Sequence, residues 1–295
     1  MSDYIISCCS TADLSKEHFE RRNINYICFH FYLDEKEYSD DLGQSMPFEK
    51  FYEAMDKGAM TRTSQINASE FVEYFEKFLI DGKDIIHISL SSGISGVYNS
   101  AVTAKQLLED KYPERKIIIV DSRGASSGYG LLMDTAADLR DSGMDIEQLA
   151  AEIEAIKMKI HHWFFSTDLK YYVRGGRVSK VSGFVGTLLK ICPLLNMDKA
   201  GKLIPKEKIR LKANAIERIV QKMIENADNG TDYDGKCYIC HSNCIADAES
   251  VKNKIEDAFN NLKDRVEINN IGTTIGSHTG AGTVALFFYG KERNE

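Results

Sequence analysis

The alternation of short β-rich runs with helical patterns in the first half of the chain leaves few folds open. IIHISL at 85–90 is followed by the helical pattern VYNSAVTAKQLL, and KIIIVD at 116–121 is followed by another helix. Strands separated by helices specify a mostly parallel sheet with helices packed on it. YIIS at 4–7 is a first strand, residues 15–21 a helix, and INYICFHFYL at 24–33 a second strand. The polar stretch DEKEYSDDLGQSM that follows reads as a surface insertion. In EFVEYFEKFL at 70–79, Phe71, Phe75, Phe78 and Leu79 share one helical face. Ile146, Leu149, Ala150 and Ile153 mark a further amphipathic helix.

The second half changes character. HHWFFS at 161–166, KCYICH at 236–241 and TVALFFYG at 283–290 read as strands, and 181–198 as a helix–strand stretch. Ile216, Ile219, Val220, Met223 and Ile224 form one helical stripe; Val251, Ile255, Ala258, Phe259 and Leu262 form another. The expected organisation is an N-terminal α/β domain over 1–158 and a C-terminal α+β domain over 159–295.

Composition excludes several function classes. The net charge of −7 argues against a nucleic-acid backbone partner, which needs a basic face. No apolar run reaches the roughly 18 residues of a membrane helix. The first residues, MSDYIISCCSTADLS, lack the basic start of a signal peptide, so a cytoplasmic protein is expected, with membrane contact at most transient. Seven cysteines at irregular spacing read as reduced thiols.

The candidate chemistry lies where strands end. SLSSGISGVYNSA at 89–101 puts serines and glycines between a strand and a helix. Such a loop can simply cap the helix, with Ser95 as the cap. It can also hold an anion through Ser92, Ser95 and the N–H groups of Gly96 and Val97. It is neither a nucleophile elbow nor a nucleotide P-loop, because G-x-S-x-G and G-K-[ST] are both missing. TRTSQIN at 61–67 reads either as a hydroxyl-rich cap or as two further donors, Thr63 and Ser64. VDSRGASSGYG at 120–130 reads equally as a tight turn or a place of close approach. In YYVRGGRVSK, Gly175 and Gly176 stop a helix. There Arg174 and Arg177 either meet an anion or tie the domains together through carboxylates. In IGSHTGAGTVALFF, His278 stands among small residues as a donor at a pocket mouth. CYICH at 237–241, with Cys244 beyond it, imitates a haem-attachment or metal motif. In a strand, however, Cys237 and Cys240 face opposite ways.

Taken in order, STADLS, TSQ, SSGISGVYNSA, VDS, GGRVSK and GSHTGAG resemble the DegV family of bacterial fatty-acid-binding proteins, over nearly the whole chain. The resemblance implies a two-domain α/β protein with one long-chain fatty acid between its domains, no cofactor and no metal. It implies that Thr63, Ser64 and Ser95 hold the carboxylate, beside the Gly96 N–H that the loop reading offers, and that His278 joins the network. It further implies presentation of the acid to a separate fatty acid kinase, with Arg210 as the docking match; Arg177 keeps the structural or anion-contact reading given above. Two positions depart from the family pattern: Cys9 replaces an Asp and Ile66 a Pro. A fatty acid also suits the residues physically. Each buried CH2 is worth about 0.8 kcal/mol, and a buried carboxylate needs donors. The alternatives are a binder of another small anion and an enzyme of phosphoryl or acyl transfer.

Overall fold

A computed structural model describes residues 4–178 and 191–293. The first half runs β1 (Tyr4–Cys9), α1 (Lys16–Arg21), β2 (Asn25–Ile27), β3 (His30–Leu33), β4 (Lys36–Ser39), α2 (Phe48–Asp56), β5 (Thr61–Ser64), α3 (Ala68–Ile80), β6 (Asp84–Ser89), α4 (Val97–Glu109), β7 (Ile117–Asp121), α5 (Ser126–Asp141) and α6 (Ile146–Ile156). The second runs β8 (Ile160–Ser166), α7 (Lys170–Arg174), β9 (Ile191–Met197), β10 (Leu203–Arg210), α8 (Lys212–Asn226), β11 (Cys237–His241), α9 (Ile245–Ala258), β12 (Val266–Asn270), α10 (Thr273–Thr279) and β13 (Thr283–Tyr289). Among the described residues, no helix is long and apolar enough to cross a membrane.

The alternation in the first half produces the expected α/β architecture. A parallel sheet of order β2-β1-β6-β7 carries helices over its apolar strands. Helix α3 starts at Asn67, whose side chain accepts from the Glu70 N–H while the Glu70 carboxylate accepts from the Asn67 N–H. It buries Phe71, Phe75 and Leu79. The second half forms a mixed sheet of order β10-β9-β8-β13-β11-β12. One core cluster runs through both halves, joining Ile6, Ile86 and Phe75 to Phe164, Tyr172, Cys240 and Phe287.

Three expectations are corrected. The run 24–33 is two strands in different sheets: β2 joins the parallel sheet, and β3 lies in a small antiparallel sheet of order β4-β3-β5. The break falls at Phe29, whose N–H donates to Ser10 Oγ at 3.1 Å and whose C=O accepts the Asp40 N–H at 2.8 Å. Those bonds take the backbone groups a continuous ladder would use. The polar stretch after it is no mere insertion, because it contains β4 and the buried Asp40. The second stripe, expected to run to Leu262, leaves the helix at Ala258; Phe259 and Leu262 are buried in the tight turn beyond. Residues 181–190 of the expected helix–strand stretch lie outside the described residues, as do Ser179 and Lys180; the remainder is β9.

Helix α10 is short, and two buried carboxylates from the first half hold its start. Asp13 Oδ1 accepts the Gly272 N–H at 3.0 Å, and its other oxygen accepts from Ser126 Oγ. Asp40 accepts from Thr273 Oγ1 at 2.7 Å, Ser10 Oγ at 3.3 Å and the Thr274 N–H at 3.4 Å. Burial pushes both carboxyls above their usual range. Replacing Asp40 with Ala leaves several buried donors without an acceptor, so Asp40→Ala is expected to cost about 2–4 kcal/mol in urea unfolding. Asp40→Asn, which keeps an acceptor, is expected to cost less. A change within about 0.5 kcal/mol for Asp40→Ala, the range of neutral surface substitutions, would show that α10 does not depend on this anchor.

Candidate functional site

A cavity with about 740 Å3 of empty space, counting its mouth, lies between the parallel sheet's loops and the mixed sheet. Its walls are largely apolar: Phe29, Leu90, Ile94, Phe164, Met197, Leu203, Ile271, Ile275 and Phe287 are among them. Thr63, Ser95, His278 and Arg177 also line it. The loop after β6 brings Leu90 to Ser95, the end of β5 brings Thr63, and α10 brings His278.

The polar residues fall into separate hydrogen-bonded sets, Thr63 with His278 and Ser95 with Gln65. Thr63 Oγ1 lies 2.8 Å from His278 Nε2. Gly175 lies against the other ring nitrogen, where a Cβ would approach His278 Nδ1 to 2.3 Å. Glycine is required there by space. Burial and the nearby Arg177 and Arg174 guanidiniums lower the His278 pKa to about 3, so its ring is neutral at pH 7. His278 Nδ1 is buried without a hydrogen-bond partner among the described residues. His278 and the small residues before it lie on the helix α10.

The remaining expected residues divide. Ser95 Oγ accepts the Val97 N–H at 3.2 Å and donates to Gln65 Oε1 at 3.4 Å. The Val97 N–H is thus taken by Ser95, and the Ser92 N–H by Asp121 at 3.1 Å. Gly96 caps α4 but lies outside the cavity lining, beneath Gln65, which a Cβ on Gly96 would meet at 2.9 Å. Ser64 follows Thr63 on β5, so its side chain takes the opposite face of the strand, away from the lining residues. Arg177 donates to the Gly175 carbonyl at 2.6 Å and the Ile94 carbonyl at 3.2 Å. It does bridge the halves, but through carbonyls rather than the expected carboxylates. Arg210 is exposed at the far end of β10, seven residues or about 23 Å along the strand from Leu203 of the cavity wall.

Sequence reasoning missed Gln65. Its amide takes the Ser95 hydroxyl and donates to Ser100 Oγ at 3.2 Å, binding the two hydroxyl-bearing segments together. It also missed His162, a cavity-wall residue held neutral by burial. Cys237 and Cys240 do face opposite ways: Cys237 packs in the outer core of the second half, Cys240 on the cavity. Among the described residues, no group of three or more His, Cys, Asp or Glu is placed to hold a metal ion.

The chain was compared with known families, proteins and structures. The model of the DegV family, described as a family of uncharacterised proteins, matches residues 6–291. A DegV domain-containing protein of Clostridium perfringens is 36% identical over 290 residues, covering 98% of each chain. The DegV lipid binding protein of Thermotoga maritima superposes with a TM-score of 0.85 at 26% identity, covering 100% of each chain. DegV of Bacillus subtilis, a fatty acid binding protein, superposes at 0.82 with 28% identity, covering 99% of this chain and 100% of its own. On the family match across nearly its whole length and on these relatives, this chain belongs to the DegV family.

Proposed function

We propose that this protein binds one long-chain fatty acid in the cavity between its two halves, 1–158 and 159–295, and performs no chemistry on it. The observation that carries this reading is a cavity wall of mostly hydrocarbon in which the Thr63 hydroxyl, hydrogen-bonded to the neutral His278, and the Ser95 hydroxyl stand as donors. Relatives described as lipid binding and fatty acid binding proteins support it.

The tail provides the affinity. Its burial is worth about 0.8 kcal/mol per CH2 before ordering costs. The carboxylate is held by the hydroxyls of Thr63 and Ser95; Ser64, on the opposite face of β5, and Gly96, outside the cavity lining, stand apart from it. His278 orients Thr63: in the tautomer with the proton on Nε2, the ring N–H donates to Thr63 Oγ1 and leaves the hydroxyl proton for the carboxylate. Neutral donors hold a carboxylate without locking it in an ion pair, which suits a carrier. We further propose a cytoplasmic location and delivery of the bound acid to a separate fatty acid kinase, docked in part through the exposed Arg210.

Lipids extracted from purified protein and identified by mass spectrometry are expected to contain one fatty acid per chain. Thr63→Val and Ser95→Ala each remove a hydrogen bond to a charged group, worth about 1.5–3 kcal/mol. Palmitate affinity is expected to fall about tenfold or more in a binding titration, with the empty variants still folded by circular dichroism. Unchanged affinity in both variants would refute the assignment of the carboxylate site.

His278 gives a pH signature. Its folded pKa, about 3, lies below its unfolded value near 6.5, so the unfolded chain takes up its proton first. Stability is therefore lost as the pH falls from 6.5 towards 3. Between pH 7 and pH 5 this group accounts for a loss of about 1–2 kcal/mol. In urea unfolding of the empty protein, His278→Asn is expected to lose that much less than wild type over the same interval. An identical acid loss in both proteins would mean that His278 is not held neutral.

A further inference from the structure

The face of the mixed sheet that borders the cavity is built in rungs. On β13, Thr283, Ala285 and Phe287 point to one side. The antiparallel register sets Thr283 opposite Ser166, Ala285 opposite Phe164 and Phe287 opposite His162 on β8. The Thr283 hydroxyl lies 3.0 Å from Tyr172 Oη on α7, and α7 ends at Gly175 against His278. The Thr283 rung is thus the end nearest the polar group. The Phe287 rung lies four residues further along the strand, about 13 Å away.

The cavity wall is tightly packed at that far rung. The His162 and Phe287 rings meet edge to face, 5.3 Å apart at 81°, and both residues are 2% exposed. His162 is fixed at both nitrogens: Nε2 accepts the Ala125 N–H at 3.4 Å, and Nδ1 lies 3.1 Å from the Ile160 carbonyl, to which it donates in that tautomer. The start of α5 presses on the pair. A Cβ on Gly128 would reach 2.4 Å from Phe287 Cδ1 and 2.5 Å from His162 Nε2. Neither ring has room to swing aside. One rung nearer the polar group, the small Ala285 leaves space in front of Phe164.

We propose that the His162–Phe287 pair is a rigid stop for the tail, setting an upper limit on chain length, and that Ala285 keeps the last stretch before it open. This rests on the fatty-acid reading above. The wild-type protein is expected to accept saturated acids up to one length, then to discriminate about tenfold against an acid two methylenes longer. Phe287→Leu lowers the stop, so the limit moves to longer acids. Ala285→Leu fills the space above it, so the limit moves to shorter ones.

The experiment offers each protein an equimolar series of saturated acids, about twelve to twenty-two carbons long, and reads the bound species by native mass spectrometry. Opposite shifts of about tenfold in the two variants support the stop. If Phe287→Leu does not fold, the shift in Ala285→Leu alone decides. One acid bound per chain with the same length preference in wild type and variant overturns the stop and leaves the fatty-acid reading intact. No acid bound by wild type at any length overturns both.

Discussion

Two buried carboxylates, Asp13 and Asp40, hold the start of the helix that carries His278, and the site depends on them. A seven-residue helix has too few internal hydrogen bonds to persist by itself. Its first N–H groups need acceptors, and its positive end favours negative charge. Asp13 and Asp40 supply the acceptors. Burying them costs desolvation, which is offset because Ser10, Ser126 and Thr273 turn their hydroxyls to the same oxygens. Asp13 also adopts φ +47°, a conformation that Asp tolerates better than most residues. Both acids come from the first half and α10 from the second. His278 therefore meets Thr63 only when the halves are packed together.

The same packing fixes the electrostatics of the site. His278 is neutral because it is buried and because Arg177 and Arg174 stand nearby. Arg177 is in turn held by the carbonyls of Gly175 and Ile94, so its position follows the backbone rather than a mobile side chain. Gly175 lets that backbone reach the imidazole. The hairpin turn between β9 and β10 closes another side. Its Gly201 carbonyl accepts from Ser91 Oγ at 2.9 Å and its Ala200 carbonyl from Arg123 at 3.0 Å, which brings Met197 and Leu203 into the wall.

Local pattern made much of this legible. The β-α alternation specified the parallel sheet, and the Ser-Gly run after β6 marked where a ligand-facing loop would lie. Two-residue periodicity assigned Cys237 and Cys240 to opposite faces. The anchors of α10 were not legible, because Asp13 and Asp40 meet it across 259 and 233 residues of sequence. β5 was missed because Thr61–Ser64 is polar and, among the described residues, pairs with β3 alone in a small sheet. The cavity wall was missed for a different reason. Alternation says that Ala285 and Phe287 share a face, but not which elements leave a gap in front of it.

The departures from the family pattern gain a physical meaning from this structure. Cys9, in the place of an Asp, is fully buried. Its N–H donates to Tyr129 Oη at 2.9 Å, and its Sγ lies 3.8 Å from His87 Nε2. Burial pushes the Cys9 thiol up to about 12 and the His87 imidazole down to about 3, so both are neutral at pH 7. A carboxylate there would add a buried charge beside a histidine already held uncharged. The cysteine suits that neutral neighbourhood, and it does so beneath the parallel sheet's loops rather than in the cavity wall. Ile66 is likewise fully buried and packs into the core between β5 and α3. Among the described residues, the side-chain hydrogen bonds of Thr63, Ser95 and His278 run to one another, to Gln65 and to Val97, and none passes through Cys9 or Ile66.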